Sequence, residues 1–373
     1  MCNNMQELNK YPIGGGKTKP RSSNFELYRI LCMLAIVAHH FVVNSGFTSP
    51  GGPLVTNPTS TNSIFLWLFG MWGKTGINCF LLITGYFMCS SKITIRKFVK
   101  LMLWIYVYRI VIYLAFLFSG NEVLSPVRVV ELLMPVWGFN DNFTSCFIGF
   151  WLTIPFWNIL IHNMTRKQHL ILVALLLGMY SILGSIPSFN VTFNYVTWFG
   201  VIYLISSYIR MYPHQCFENK RLWVVLMVVA ILLSVLSVIG LLFLIGKVQY
   251  FFLIDSNKIF AVAVAVSFFV CIKNVHIPYS KIINTVGGSA FGVLLIHANS
   301  DAMRTWLWKD IVDCVGHYNL SLLQLIGFSI GVVLTIFLSC ILIDRLRIKI
   351  IEEPFFKWYD KKPRFTKLIS CLS

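Results

Sequence analysis

Charge is the scarcest property of this 373-residue sequence. Asp, Glu, Lys and Arg make up 12% of it, roughly half of what a soluble protein carries. Acidic residues are the rarer part of that share, 14 against 31 Lys and Arg. Extended polar stretches are few, so no segment is large enough to fold separately as a soluble domain. The ten cysteines show neither C-x-x-C nor any other metal-ligand spacing, which leaves a metalloenzyme without support. No Ser-His-Asp signature, P-loop or G-x-G-x-x-G occurs, and hydrolase and nucleotide-motor readings lose their footing with them. There is no fixed-period repeat. A cleavable leader is not legible either: residues 1–24 are polar and basic, and the apolar run behind them has no Ala-x-Ala-like site.

What the chain has in abundance is apolar surface. It is 57% apolar, with 31 Phe and 11 Trp. Ten candidate spans can be drawn, at 25–43, 63–88, 101–119, 147–163, 168–186, 194–211, 222–246, 256–272, 282–299 and 321–343. The expected class is therefore an all-α, polytopic integral membrane protein. Its parts would be a basic N-terminal segment (1–24), a transmembrane domain (25–343) and a basic tail (344–373). The net charge of +17 would suit nucleic acid, but its placement argues for topology instead. With the N-terminus inside, 23 of the 31 Lys and Arg fall on the inner side, 5 outside and 3 within spans. That asymmetry puts both termini in the cytoplasm, with membrane lipid rather than nucleic acid as the partner of the basic segments.

Between the spans, 44–62 is uncharged and rich in Pro, Gly, Ser and Thr, which predicts an irregular outer cap. Within 120–146, "SPVRVVELLMPVWG" suits a short helix lying at the interface. The second span places glycines at 70, 73 and 76, which lets another backbone approach closely and predicts a bend or break near Lys74. Cys146 and Cys314 both fall on the outer side, but buried apolar packing explains them better than a disulfide.

Ionisable groups inside a span cost about 2.5–3.5 kcal/mol each and need a reason. In "FELYRILCMLAIVAHHF", Arg29 and His40 are eleven residues apart, which returns them to within about 20° of one helix face. Along the axis they are separated by about 16 Å. They cannot touch, yet both can line one cavity at different depths, whereas His39 points about 80° away. Arg29 could instead snorkel to the headgroups, and His40 could be a satisfied interfacial histidine. His297 lies about 22 Å up the ninth span, close to the depth of His40, and two imidazoles at one level suit proton transfer near neutral pH. Arg109, in mid-span, has no assigned role. A cytoplasmic-side cation could hold the phosphates of an acyl carrier while an outer histidine deprotonates a hydroxyl for attack on the thioester.

At this point the residues resemble the membrane acyltransferase family 3, whose members O-acylate bacterial glycans. The Arg-x10-His motif of its first span is matched by Arg29 and His40. "KTGINCFLLITGYFM" is similar to its second-span pattern at Lys74, Gly76, Phe80 and Gly85. "AFGVLLIHANS", with His297, is similar to a later span, and "IEEPFFKW" resembles the closing motif at Glu352 and Pro354. The likeness covers about residues 24–358. Lys97 and Lys100 stand where an Arg pair is usual, which keeps charge but not bidentate geometry; Thr84 replaces a Ser, and Glu353 an Arg.

The resemblance implies a standalone O-acetyltransferase in the bacterial cytoplasmic membrane. It would move an acyl group, usually acetyl, from acetyl-CoA (acyl-CoA) to a glycan or lipid-linked sugar hydroxyl at the outer face, without a metal. His40 would be the general base, Arg29 the donor-side cation and His297 a further site residue, with Lys74, Lys97, Lys100 and Arg96 meeting the CoA phosphates. Two rivals share the same features. A transporter of a small anionic or sugar solute would also carry intramembrane Arg and His and a broken helix, although no inverted repeat is present. A sensor or scaffold could use His39 and His40 to report pH. Acceptor, acyl chain and oligomeric state are not legible.

Overall fold

The computed structural model describes residues 22–91, 93–137, 142–246 and 249–361. It is all-helical, 75% helix, with no strand among the described residues. The principal helices are α1 (Ser23–Val43), α2 (Thr61–Met88), α3 (Ile95–Phe118), α4 (Pro126–Leu133), α5 (Phe143–Asn163), α6 (Arg166–Ser185), α7 (Tyr195–Met211), α8 (Lys220–Leu244), α9 (Ile259–Lys273), α10 (Lys281–His297), α11 (Asp301–Ile311) and α12 (Leu322–Tyr359). Each of the ten expected segments coincides with one of these helices. Among the described residues, seven are individually long and apolar enough to cross a membrane, and the pair α10 and α11, bent by 97°, would make eight. The helices α7 and α9 are shorter, at 17 and 15 residues.

Polar caps open the helices where the apolar runs begin. The side chain of Thr94 accepts from the Lys97 amide at the start of α3, Asn142 does the same for Ser145 at α5, and Ser280 for Ile283 at α10. Each satisfies an amide that a helix's first turn leaves unpaired.

The first helix is the axis of the fold. It packs against α2, α9, α10 and α12, and its residues enter both hydrophobic clusters, one around Met33, Phe41 and Trp308, the other around Tyr28, Trp198 and Phe269. Its contact with α2 runs along the glycines: a Cβ on Gly70 would lie 2.7 Å from Val42 Cβ, on Gly76 2.7 Å from Ile36 Cγ1, and on Gly73 inside the His39 ring. The expected interruption of α2 falls at Met71–Trp72, just before Lys74, and the two halves still make one 28-residue span.

Residues 44–62 hold mostly turns and one short helix, Pro53–Thr56, but they are not a loose cap: Phe47 and Leu54 are fully buried. The expected interfacial helix is α4, which buries none of its residues and exposes Val127 and Leu133. Cys146 and Cys314 are both buried, and no disulfide forms among the described residues.

Candidate active site

Two adjoining cavities lie where α1, α2, α3, α5 and α10 meet. One, of about 270 Å³, is lined by His39, His40, Lys74, Arg109, Asn142 and Arg304, among others. The second, of about 290 Å³, is lined by Arg29 with Leu101, Trp104, Trp151 and Gly287. The helix-face argument anticipates one cavity holding Arg29 and His40. The structure instead gives each its own, because Phe80, Phe143 and Phe291 project between them and line both.

His40 does not stand alone. Its Nδ1 lies 2.9 Å from Nε2 of His297, and His297 Nδ1 lies 2.6 Å from the Val293 carbonyl oxygen. That arrangement decides the tautomers. A carbonyl can only accept, so His297 carries its proton on Nδ1, and its Nε2 is then an acceptor. His40 must therefore donate from Nδ1, which leaves Nε2 of His40 with a lone pair. The pair expected from depth alone thus meets in space, held by α1 and α10. His297 is fully buried, whereas His40 is half-buried.

His39 shares the same cavity, although its angle on α1 predicts that it points elsewhere. Its Nδ1 donates to the Gly70 carbonyl at 2.6 Å, and the absence of a side chain at Gly73 makes room for its ring. A neighbouring helix can enclose two adjacent faces, which a single-helix projection does not anticipate.

Arg29 is not alone. Its Nη1 donates to Oε1 of Glu26 at 2.6 Å, and Glu26 is 3% exposed, pressed against Gly287 of α10. The signal was present as an i, i+3 pair in "ELYR", but Glu26 lies so near the N-terminal end of the helix that it reads as interfacial.

The four lysines and arginines expected together separate. Lys74 sits in the His40 cavity, donating from Nζ to the Tyr195 hydroxyl at 2.7 Å. Arg96, Lys97 and Lys100 lie on the first turns of α3. Arg96 pairs with Asp360 at 3.0 Å and covers the Phe356 ring, and Lys100 pairs with Glu352 at 2.5 Å. Lys97 is exposed. Glu352, reached through a π-helical turn of α12, also accepts from Arg347 at 2.8 Å. Arg347 in turn donates to Asp344, whose Oδ1 collects Trp104 Nε1 and the Tyr108 hydroxyl as well, both at 2.8 Å. This buried ionic cluster joins α3 to α12 and has no counterpart in the sequence reading, since Asp344 and Arg347 look like the ordinary polar end of a span. Arg109 finds its role here too: it donates to the Glu131 carbonyl of α4 at 2.7 Å and lines the His40 cavity.

The acyltransferase domain of acyltransferase family 3 matches residues 23–344, nearly the whole chain. The chain belongs to that family, and with several apolar helices it is a multi-pass membrane acyltransferase. No curated protein and no solved structure matches it.

Proposed function

We propose that this chain transfers an acetyl group from cytoplasmic acetyl-CoA to a hydroxyl of a cell-surface or envelope glycan at the outer face of a bacterial cytoplasmic membrane. Ten spans and two cytoplasmic termini complete the reading. The observation that carries it is the imidazole chain from His40 through His297 to the Val293 carbonyl, opening onto a cavity next to the one that Arg29 lines.

The chemistry follows from the tautomers. His40 Nε2 takes the proton of the acceptor hydroxyl as its oxygen bonds to the thioester carbonyl carbon. The C–S bond then breaks, and the proton leaves with the thiolate, giving CoA and the sugar ester. While His40 is protonated, its Nδ1–H donates to His297, which holds the ring in place and spreads the charge. Lys74 is the cation against which the carbonyl oxygen gains negative charge. Arg29, braced by Glu26, draws the donor's phosphates from the inner side, and Lys97 with Arg96 and Lys100 provides the mouth. In this scheme phosphate oxygens compete with Glu352 and Asp360 for Lys100 and Arg96.

The test is a reconstitution in vesicles, with radiolabelled acetyl-CoA inside and extracted envelope glycan outside. Labelled glycan and stoichiometric CoA release are expected from the unmodified protein. Both should vanish in H40A and R29A while the proteins keep their thermal unfolding transition. Solute flux without CoA release would instead establish a transporter.

A further inference from the structure

Three phenylalanines are the residues that the two cavities have in common: Phe80 of α2, Phe143 of α5 and Phe291 of α10. Arg29 opens onto one side of this partition and His40 onto the other. An acyl donor whose phosphates are held on the Arg29 side must pass its acyl end between the three rings to bring the carbonyl carbon to His40 Nε2.

We propose that this partition is the acyl-selecting element: it sets the width of acyl group that reaches His40, admitting a slim unbranched acyl group and refusing an aromatic or branched one. The inference rests on the acyl-transfer reading above and adds no chemical step to it.

Two of the three rings are backed by others, which makes that side of the partition a wall rather than loose flaps. Phe291 meets Trp104 edge-on, with centroids 5.4 Å apart, and Trp104 is itself held by its hydrogen bond to Asp344. Phe143 stacks on Phe147 at 5.9 Å, and Phe147 lies 6.0 Å from Phe291. Width is the quantity such a passage measures. An unbranched acyl chain is no thicker than the arm that carries it, whereas a branch or a ring must displace a backed phenyl group, and well-packed interiors give way reluctantly. The partition also marks a change in chemistry. Leu101, Trp104 and Trp151 line the Arg29 side, while Lys74, Arg109 and Asn142 line the His40 side. The thioester therefore leaves a mostly apolar slot and meets several polar groups once it has passed the rings.

The experiment compares initial rates with acetyl-CoA and benzoyl-CoA, using envelope glycan as acceptor, in the unmodified protein and in F80L, F291L and F291A. The expected result is a benzoyl-to-acetyl rate ratio that rises as the side chain shrinks, by at least about tenfold in F291A, the scale on which one missing group in an apolar pocket alters selection. Acetyl transfer should persist throughout. If F291A does not fold, F80L and F291L must each still raise the ratio. Acetyl transfer that persists in the variants at an unchanged ratio overturns the filter and leaves the acyl-transfer reading standing. No acetyl transfer in the unmodified protein overturns that reading, and the filter with it.

Discussion

At the scale of the residue, the proposal turns on one ring nitrogen. Because His297 spends its only N–H on the Val293 carbonyl, His40, which lines the cavity, is left with an unprotonated Nε2. H40A should lower kcat by about 10²–10⁴-fold, the usual contribution of a positioned general base. H39A, which removes a ring held by Gly70 rather than by a second imidazole, should leave a measurable part of the rate. Single-turnover transfer of labelled acetyl distinguishes the two, and equal losses would show that the imidazole chain does not select the residue. H297A should reduce kcat more than KM, because it withdraws the acceptor that orients His40 and no binding contact. The common face of Arg29 and His40 was legible from their spacing. Their partners were legible only in part: depth put His297 level with His40 and an i, i+3 spacing offered Glu26 to Arg29, but the contacts themselves depend on rotamers and on how the helices pack.

Helices are the next scale, and the contact between α1 and α2 shows how a pattern of small residues becomes geometry. Gly70, Gly73 and Gly76 were legible as a close-approach surface, and they meet Val42, the His39 ring and Ile36 in turn. G73A would drive a methyl group into the His39 ring, so it should destabilise the fold by about 1–3 kcal/mol and lower transfer by displacing α1. Thermal unfolding in detergent checks the first effect, and the acetyl assay the second. What the pattern could not say is that the same approach draws His39 into the cavity. The break in α2 was also anticipated at Lys74. It falls at Met71–Trp72, where the peptide turns and delivers Lys74 to Tyr195.

Over the whole molecule, the last helix is tied to the third. Asp344, Arg347 and Glu352, all buried, link α12 to α3 through a run of ion pairs that ends at the exposed Lys100. D344A leaves Arg347 with Glu352 alone and takes the acceptor from Trp104 and Tyr108, so it should cost about 1–3 kcal/mol, read as a lowered unfolding midpoint in detergent. Since Trp104 loses its acceptor in the same variant, the wall behind Phe291 should loosen as well. At the start of α3, K97A should raise the apparent KM for acetyl-CoA with little change in kcat. An unchanged KM would remove the start of α3 from the donor site.

Composition and order along the chain were enough to determine that this is a helical membrane protein, roughly where its apolar helices lie, which family it resembles and which two polar residues share a face of the first helix. Hydrophobic runs, charge asymmetry and helical spacing are local properties, and a linear sequence carries them in full. Only the tertiary structure decided that His297 meets His40, that Glu26 restrains Arg29, that Lys74 stands apart from Lys100 and Arg96, and that three phenylalanines divide one expected cavity into two. Each of those depends on side chains from helices far apart in the chain arriving at one place. That is a matter of how the bundle packs, and no single helix contains it.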